Sequence, residues 1–96
     1  MNEEKTAVVN VRKSECDIYI GRPSQWGNPF RIGRDGTRSQ VIAKFRAYAA
    51  RNFAPADLAQ LKGKRLGCFC APLPCHGDVL AELADGVDLL ASKPLS

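Results

Sequence analysis

The chain has 96 residues, 45% hydrophobic and 25% charged, with a formal net charge of +4; this length builds one small core and excludes two. No run of about 18 apolar residues occurs, which excludes a helical membrane span, and the acidic Met1–Thr6 segment lacks the apolar stretch of a secretory signal. The expected setting is cytoplasmic and reducing, where four cysteines point to metal or thiol chemistry ahead of disulfides.

Residues 7–12, Ala-Val-Val-Asn-Val-Arg, are rich in β-branched side chains and predict a first strand. Residues 17–21 predict a second, with Ile18 and Ile20 on one face and Tyr19 on the other. The short polar connection Lys13–Cys16 suits an antiparallel hairpin between them. Residues 21–36 hold four glycines and two prolines and predict a long loop, of the kind that is functional when it is ordered. Trp26, Phe30 and Ile32 within it argue that the loop packs onto the body.

A helix is expected to start near Thr37 or Ser39, either of which can cap it. Val41, Ile42, Phe45, Tyr48, Ala49 and Phe53 recur at helical spacing as its apolar stripe. Pro55 opens a short helical turn through Leu61, which Lys62-Gly63-Lys64 ends. Arg65–Cys70 predicts a third strand. A last helix follows Cys75-His76-Gly77-Asp78, burying Val79, Leu80 and Leu83 and stopping at Gly86. The fold class is therefore expected to be α/β: a single small domain, a short sheet of about three or more strands packed with two to three helices. Its expected limits are an N-terminal tail over 1–6, the domain over 7–86 and a C-terminal tail over 87–96. Val87, Leu89 and Leu90 in that tail form a small apolar patch that suits a dimer contact.

Cys68, Cys70, Cys75 and His76 fall within nine residues. Strand alternation puts Cys68 and Cys70 on one face. Cys75 and His76 fall at a helix N-terminus, where free N–H groups and the helix dipole favour a thiolate and lower a thiol pKa. Three chemistries remain open. Cys68, Cys70, Cys75 and His76 are the donors of a zinc alternative, although C-x-C, four residues and C-H lack a distant second knuckle. Cys75 or Cys70 can act as a nucleophile. The third option is plain packing of small buried thiols.

The charge is uneven. Residues 1–53 carry ten Lys/Arg against five acids, and residues 54–96 carry four against five. Arginine dominates the basic half, and its planar fork matches phosphate. That balance suits a nucleotide or nucleic-acid partner, or a solvated basic surface.

Gly21-Arg22, Trp26-Gly27-Asn28-Pro29-Phe30, Leu66-Gly67-Cys68-Phe69-Cys70 and Cys75-His76-Gly77-Asp78-Val79-Leu80 together form a specific signature. The chain carrying them resembles domain of unknown function 4326, a family of small bacterial and bacteriophage proteins, over roughly residues 8–84. The resemblance implies a shared compact fold and a shared site, without an activity. It also implies a phage or mobile-element context, where DNA, nucleotides and host defence proteins are the usual partners.

Within that signature Arg22 can pair with phosphate, Trp26 can stack a base or fill the core, and Asn28 can bond a ligand or start a turn. Asp78 can orient His76, act as a base, or place charge in a helix first turn. Both loops follow a predicted strand, and in open α/β sheets such loops gather at one edge. Arg22, Trp26, Asn28 and Cys70 are therefore expected as ligand-binding residues around one pocket with Cys75, His76 and Asp78 as catalytic ones. Three functions follow from this set. The first is an enzyme or binding protein for a nucleotide or nucleobase-like anion. The second is a non-catalytic nucleic-acid module, with or without zinc. The third is a small phage-encoded inhibitor that binds a host protein complex.

Overall fold

A computed structural model describes residues 5–71 and 73–86. The expected 87–96 tail and its apolar patch lie outside the described residues. Three strands, β1 (Ala7–Asn10), β2 (Ile18–Tyr19) and β3 (Arg65–Cys68), and three helices, α1 (Arg38–Asn52), α2 (Pro55–Ala59) and α3 (His76–Gly86), make a small α/β domain.

The sheet order is β1-β3-β2, and both outer strands run parallel to β3. The expected β1–β2 hairpin is therefore not formed. The reason lies in the central strand. Leu66 and Cys68 of β3 are buried toward the helices, while Gly67 faces the other way and presents no side chain. The connection from β1 to β2 crosses β3 on that bare face. A Cβ on Gly67 would stand 2.5 Å from Cys16 Sγ and 2.6 Å from Val11 Cγ1, so this crossing requires glycine. At its far end the Asp17 amide donates to the Arg65 carbonyl at 2.8 Å, and Asp17 Oδ2 accepts from the Arg65 amide at 2.8 Å. These two bonds start β2 in register.

Helix α1 begins where a side chain can close its first turn. The Thr37 hydroxyl accepts from the Gln40 amide at 3.2 Å, and the Gln40 side chain accepts from the Thr37 amide at 2.8 Å. This reciprocal pair satisfies two otherwise free donors. The expected stripe is the face that is used: Val41, Phe45 and Ala49 are buried, and Ile42, Tyr48 and Phe53 pack against the core. Pro55 opens α2, and Asp57 Oδ2 accepts the Ala54 amide at 2.9 Å.

Phe45, Ile20, Leu61, Leu66, Leu80 and Val79 are the largest fully buried side chains. Each contributes about 1.5–3 kcal/mol by leaving water. Through them α3 packs on the sheet, and α1 and α2 pack on α3. Outside this core, Arg46 of α1 and Glu82 of α3 form a two-pronged pair at 3.1 and 2.9 Å. Near the domain's start, Thr6 is buried, and its hydroxyl donates to Asp85 at 2.6 Å and accepts the Gly63 amide at 2.9 Å.

Candidate functional site

The C-terminal ends of β2 and β3 open onto a cleft of about 570 Å³, the position that parallel sheets favour for ligands. One wall is the 21–36 loop, supplying Arg22, Asn28, Phe30, Arg31 and Ile32. The opposite wall is the run from Cys68 to His76, and Arg38 at the start of α1 borders both.

Backbone carbonyls fix these walls. The Arg22 guanidinium donates to the Asn28 carbonyl at 2.9 Å, drawing the loop shut. Gly27 permits this approach, since a Cβ there would lie 2.9 Å from Arg22 Cγ. Arg38 donates to the Pro74 carbonyl at 2.9 Å and so ties α1 to the facing wall. Asn10 donates to the Ala71 carbonyl at 2.8 Å, holding the turn after β3. A guanidinium carries five N–H donors, so both arginines keep donors for a ligand. Among the described residues the ion pairs are Arg34–Asp35, Arg46–Glu82 and Arg65–Asp17, and none involves Arg22, Arg31 or Arg38. No carboxylate is among the described residues that line the cleft.

Of the residues expected at the site, Arg22, Asn28, Cys68, Cys70, Cys75 and His76 line this cleft, and Trp26 and Asp78 do not. Trp26 is 4% exposed and lies 4.7 Å from the Phe53 ring, centroid to centroid. It is a core residue that seats the loop. Asn28 spends its side chain on the protein's own backbone: its oxygen accepts the Phe30 amide at 2.9 Å and its amide donates to the Val41 carbonyl of α1 at 3.3 Å. It shapes the turn, as Asn-Pro sequences do.

The start of α3 is a cysteine version of a helix cap. Cys75 Sγ accepts the Gly77 amide at 3.3 Å, and Asp78 Oδ2 accepts the Cys75 amide at 3.0 Å. Asp78 is thus engaged in capping and does not orient His76. The expectation of an activated Cys75 thiolate is corrected here. Burial, together with Cys68 Sγ at 3.5 Å, pushes the Cys75 thiol up to about 12. Desolvation outweighs the favourable helix terminus, and the thiol stays protonated. His76 Nε2 lies 2.8 Å from the Ile20 carbonyl oxygen. Burial first, and the nearby Arg22 charge among the lesser causes, hold its pKa below the ordinary 6.5. The imidazole is neutral and donates through Nε2, because a carbonyl only accepts.

These engagements also remove support for the zinc alternative. Cys75 Sγ and His76 Nε2 face protein partners, and among the described residues no three His, Cys, Asp or Glu side chains gather to hold a metal ion. Cys70 is the half-buried thiol of the cleft.

Arg31 and Arg38 belong to the cleft without belonging to any motif. Arg38 did leave a signal. It stands in the first turn of α1, where no acid is present and where the dipole disfavours a cation, so its charge has a non-local use.

Comparison with known proteins agrees with the signature. An "Uncharacterized 12.4 kDa protein in nrdA-td intergenic region" of Enterobacteria phage T4 is 40% identical over 84 residues, covering 81% of this chain and 76% of the phage protein. An uncharacterized protein of Acanthamoeba polyphaga mimivirus is 34% identical over 86 residues, covering 71% of this chain and 66% of the viral protein. No solved structure matches significantly. The family model described as "Domain of unknown function (DUF4326)" matches residues 3–86, and the chain belongs to that family.

Proposed function

We propose that the cleft binds a nucleotide-type ligand, an aromatic ring joined to a phosphate. The observation that carries this reading is the pairing of Arg22, Arg31 and Arg38 with the rings of Tyr19 and Phe30 in a cleft whose lining, among the described residues, holds no carboxylate. Guanidinium forks take phosphate oxygens through paired bonds, and aromatic and apolar walls take a base. The volume falls within the range of small-molecule sites, about 300–1,000 Å³. The distribution of exposed apolar side chains also supports a ligand over a host-protein surface. Of the exposed large hydrophobics among the described residues, Tyr19, Ile32 and Phe69 line the cleft, and Leu73 adjoins Pro74 on its wall.

The buried, protonated Cys75 and the neutral His76 support binding as the site's primary work. The test is thermal denaturation with nucleoside, nucleotide and inorganic phosphate panels. A ligand at about 100 times its Kd stabilises the fold by about 2.7 kcal/mol. Nucleotides are expected to raise Tm, nucleosides and phosphate less, and Arg31→Ala or Arg38→Ala to diminish the rise. No shift with any nucleotide defeats the proposal.

A further inference from the structure

We infer that the ligand is one terminal nucleotide of a single-stranded nucleic acid, whose next base stacks on Phe69. This rests on the nucleotide reading of the cleft and names the class of molecule that carries the nucleotide.

Phe69 is the residue that the small-ligand reading leaves underused. It follows the last residue of β3, turns out of the sheet and is 55% exposed at the cleft edge. Its ring is held in place from two sides. Tyr19 meets it edge-to-face at 6.1 Å between centroids, with an interplanar angle of 76°. The Arg12 guanidinium lies over it, 5.4 Å from the ring centroid. A solvent-facing ring fixed by a second ring and a cation is a stacking platform, and bases stack on such rings whatever their sequence.

Arg12 extends the positive charge beyond the cleft. It comes from the β1–β2 connection and is not among the residues that line the cleft. There it also lines a shallow hollow of about 550 Å³ built by residues 11–16, which adds Lys13 and one acid, Glu15. Phe69 therefore shares the cleft lining with Arg22, Arg31 and Arg38 and touches, through Arg12, a further cation outside that lining. A mononucleotide in the cleft uses only the lining arginines. A strand leaving the cleft places its next base on Phe69 and its linking phosphate at Arg12. A base taken into the cleft is unpaired, so a nucleotide in a duplex must first leave it.

The experiment compares a mononucleotide, the matching dinucleotide and short fluorescein-labelled DNA and RNA oligonucleotides by competition anisotropy, with the wild-type chain and three variants. The dinucleotide is expected to bind about tenfold tighter than the mononucleotide, within the range of one stacked base. Phe69→Leu, which keeps an apolar cleft edge without a ring, is expected to bring that ratio close to one. Arg12→Ala is expected to leave mononucleotide affinity unchanged and to reduce the salt slope of oligonucleotide binding by about one. Equal affinity for mono- and dinucleotide, or a ratio that Phe69→Leu leaves intact, overturns the inference and leaves the cleft reading standing. Oligonucleotide binding that survives Arg31→Ala overturns it as well, because the strand then bypasses the cleft. Binding of neither class overturns both.

Discussion

His76 Nε2 and the Ile20 carbonyl oxygen stand 2.8 Å apart, so the first residue of α3 is bonded to the chain just beyond β2. This contact joins the two walls of the cleft at their base. It also places a titratable ring in the core, where the neutral form is favoured.

That burial sets a pH dependence. A histidine whose pKa is lower in the fold than in the unfolded chain contributes stability that is fully present above about pH 6.5. As pH falls from there through the folded-state value, the unfolded chain takes up the proton first and stability declines, by at most about 1.4 kcal/mol per pH unit for one group. Asp17, Asp35 and Glu82, each lowered chiefly by a hydrogen bond from its arginine partner, act later, as pH falls through the carboxylate range. Urea denaturation between pH 7 and 5 is expected to show the histidine slope, and His76→Gln is expected to abolish it. A flat profile in the wild type refutes the assignment.

The cysteines are expected to react in two classes. Cys16 and Cys70 are partly exposed, whereas Cys68 and Cys75 are buried, and the Cys75 thiol is held protonated. Because the thiolate is the reactive form, iodoacetamide at pH 8 should label Cys16 and Cys70 in the native protein. Cys68 and Cys75 should label only with unfolding, as followed by peptide mass spectrometry. Early labelling of Cys75 contradicts the geometry described for the start of α3.

Gly67 is expected to resist even the smallest enlargement. Its virtual Cβ collides with Cys16 and Val11, whereas Gly86 has open space around it. Gly67→Ala should cost about 1–3 kcal/mol. Gly86→Ala, at the last position of α3, should be neutral or stabilising by up to about 1 kcal/mol. Chemical denaturation midpoints of the two variants measure the contrast, and equal midpoints argue against the crossing over β3.

Trp26 separates the core from the cleft. Trp26→Ala removes the ring packed on Phe53 and should destabilise by about 3–5 kcal/mol. Trp26→Phe should keep most of the stability and leave nucleotide affinity within about twofold of wild type, since affinity follows groups that touch the ligand. A large affinity loss in a well-folded Trp26→Phe variant puts this ring in the binding site.

Local signals were legible in the sequence wherever the physics is local. Thr37, the apolar stripe of α1 and Pro55 at α2 all depend on neighbours within one or two turns, and each acts as its residue type suggests. The sheet order was not legible, because the short β1–β2 connection favours a hairpin until β3, far along the chain, claims the place between them. The gathering of Arg22, Asn28, Cys70, Cys75 and His76 followed from loops at strand ends. Their chemistry did not: the helix start at Cys75 was visible in sequence, while the burial that reverses its effect on the thiol comes from Cys68 and the surrounding core. Trp26 is similar, because a single tryptophan in a glycine-rich loop suits both a base-stacking and a core residue until Phe53 is seen against it.

The order of the strands also governs when the sheet can exist. Among the described strands β3 is the middle one in space and the last in sequence, so Ala7 must wait for Arg65 and Ile18 for Leu66. During synthesis, α1 and α2 leave the ribosome before any two strands can pair. The helices have local hydrogen bonds to form early, but closing the long loops between paired strands is slow. Any fragment that stops before residue 65 therefore contains two strands and no sheet, and the cleft comes into being in the same event that inserts β3.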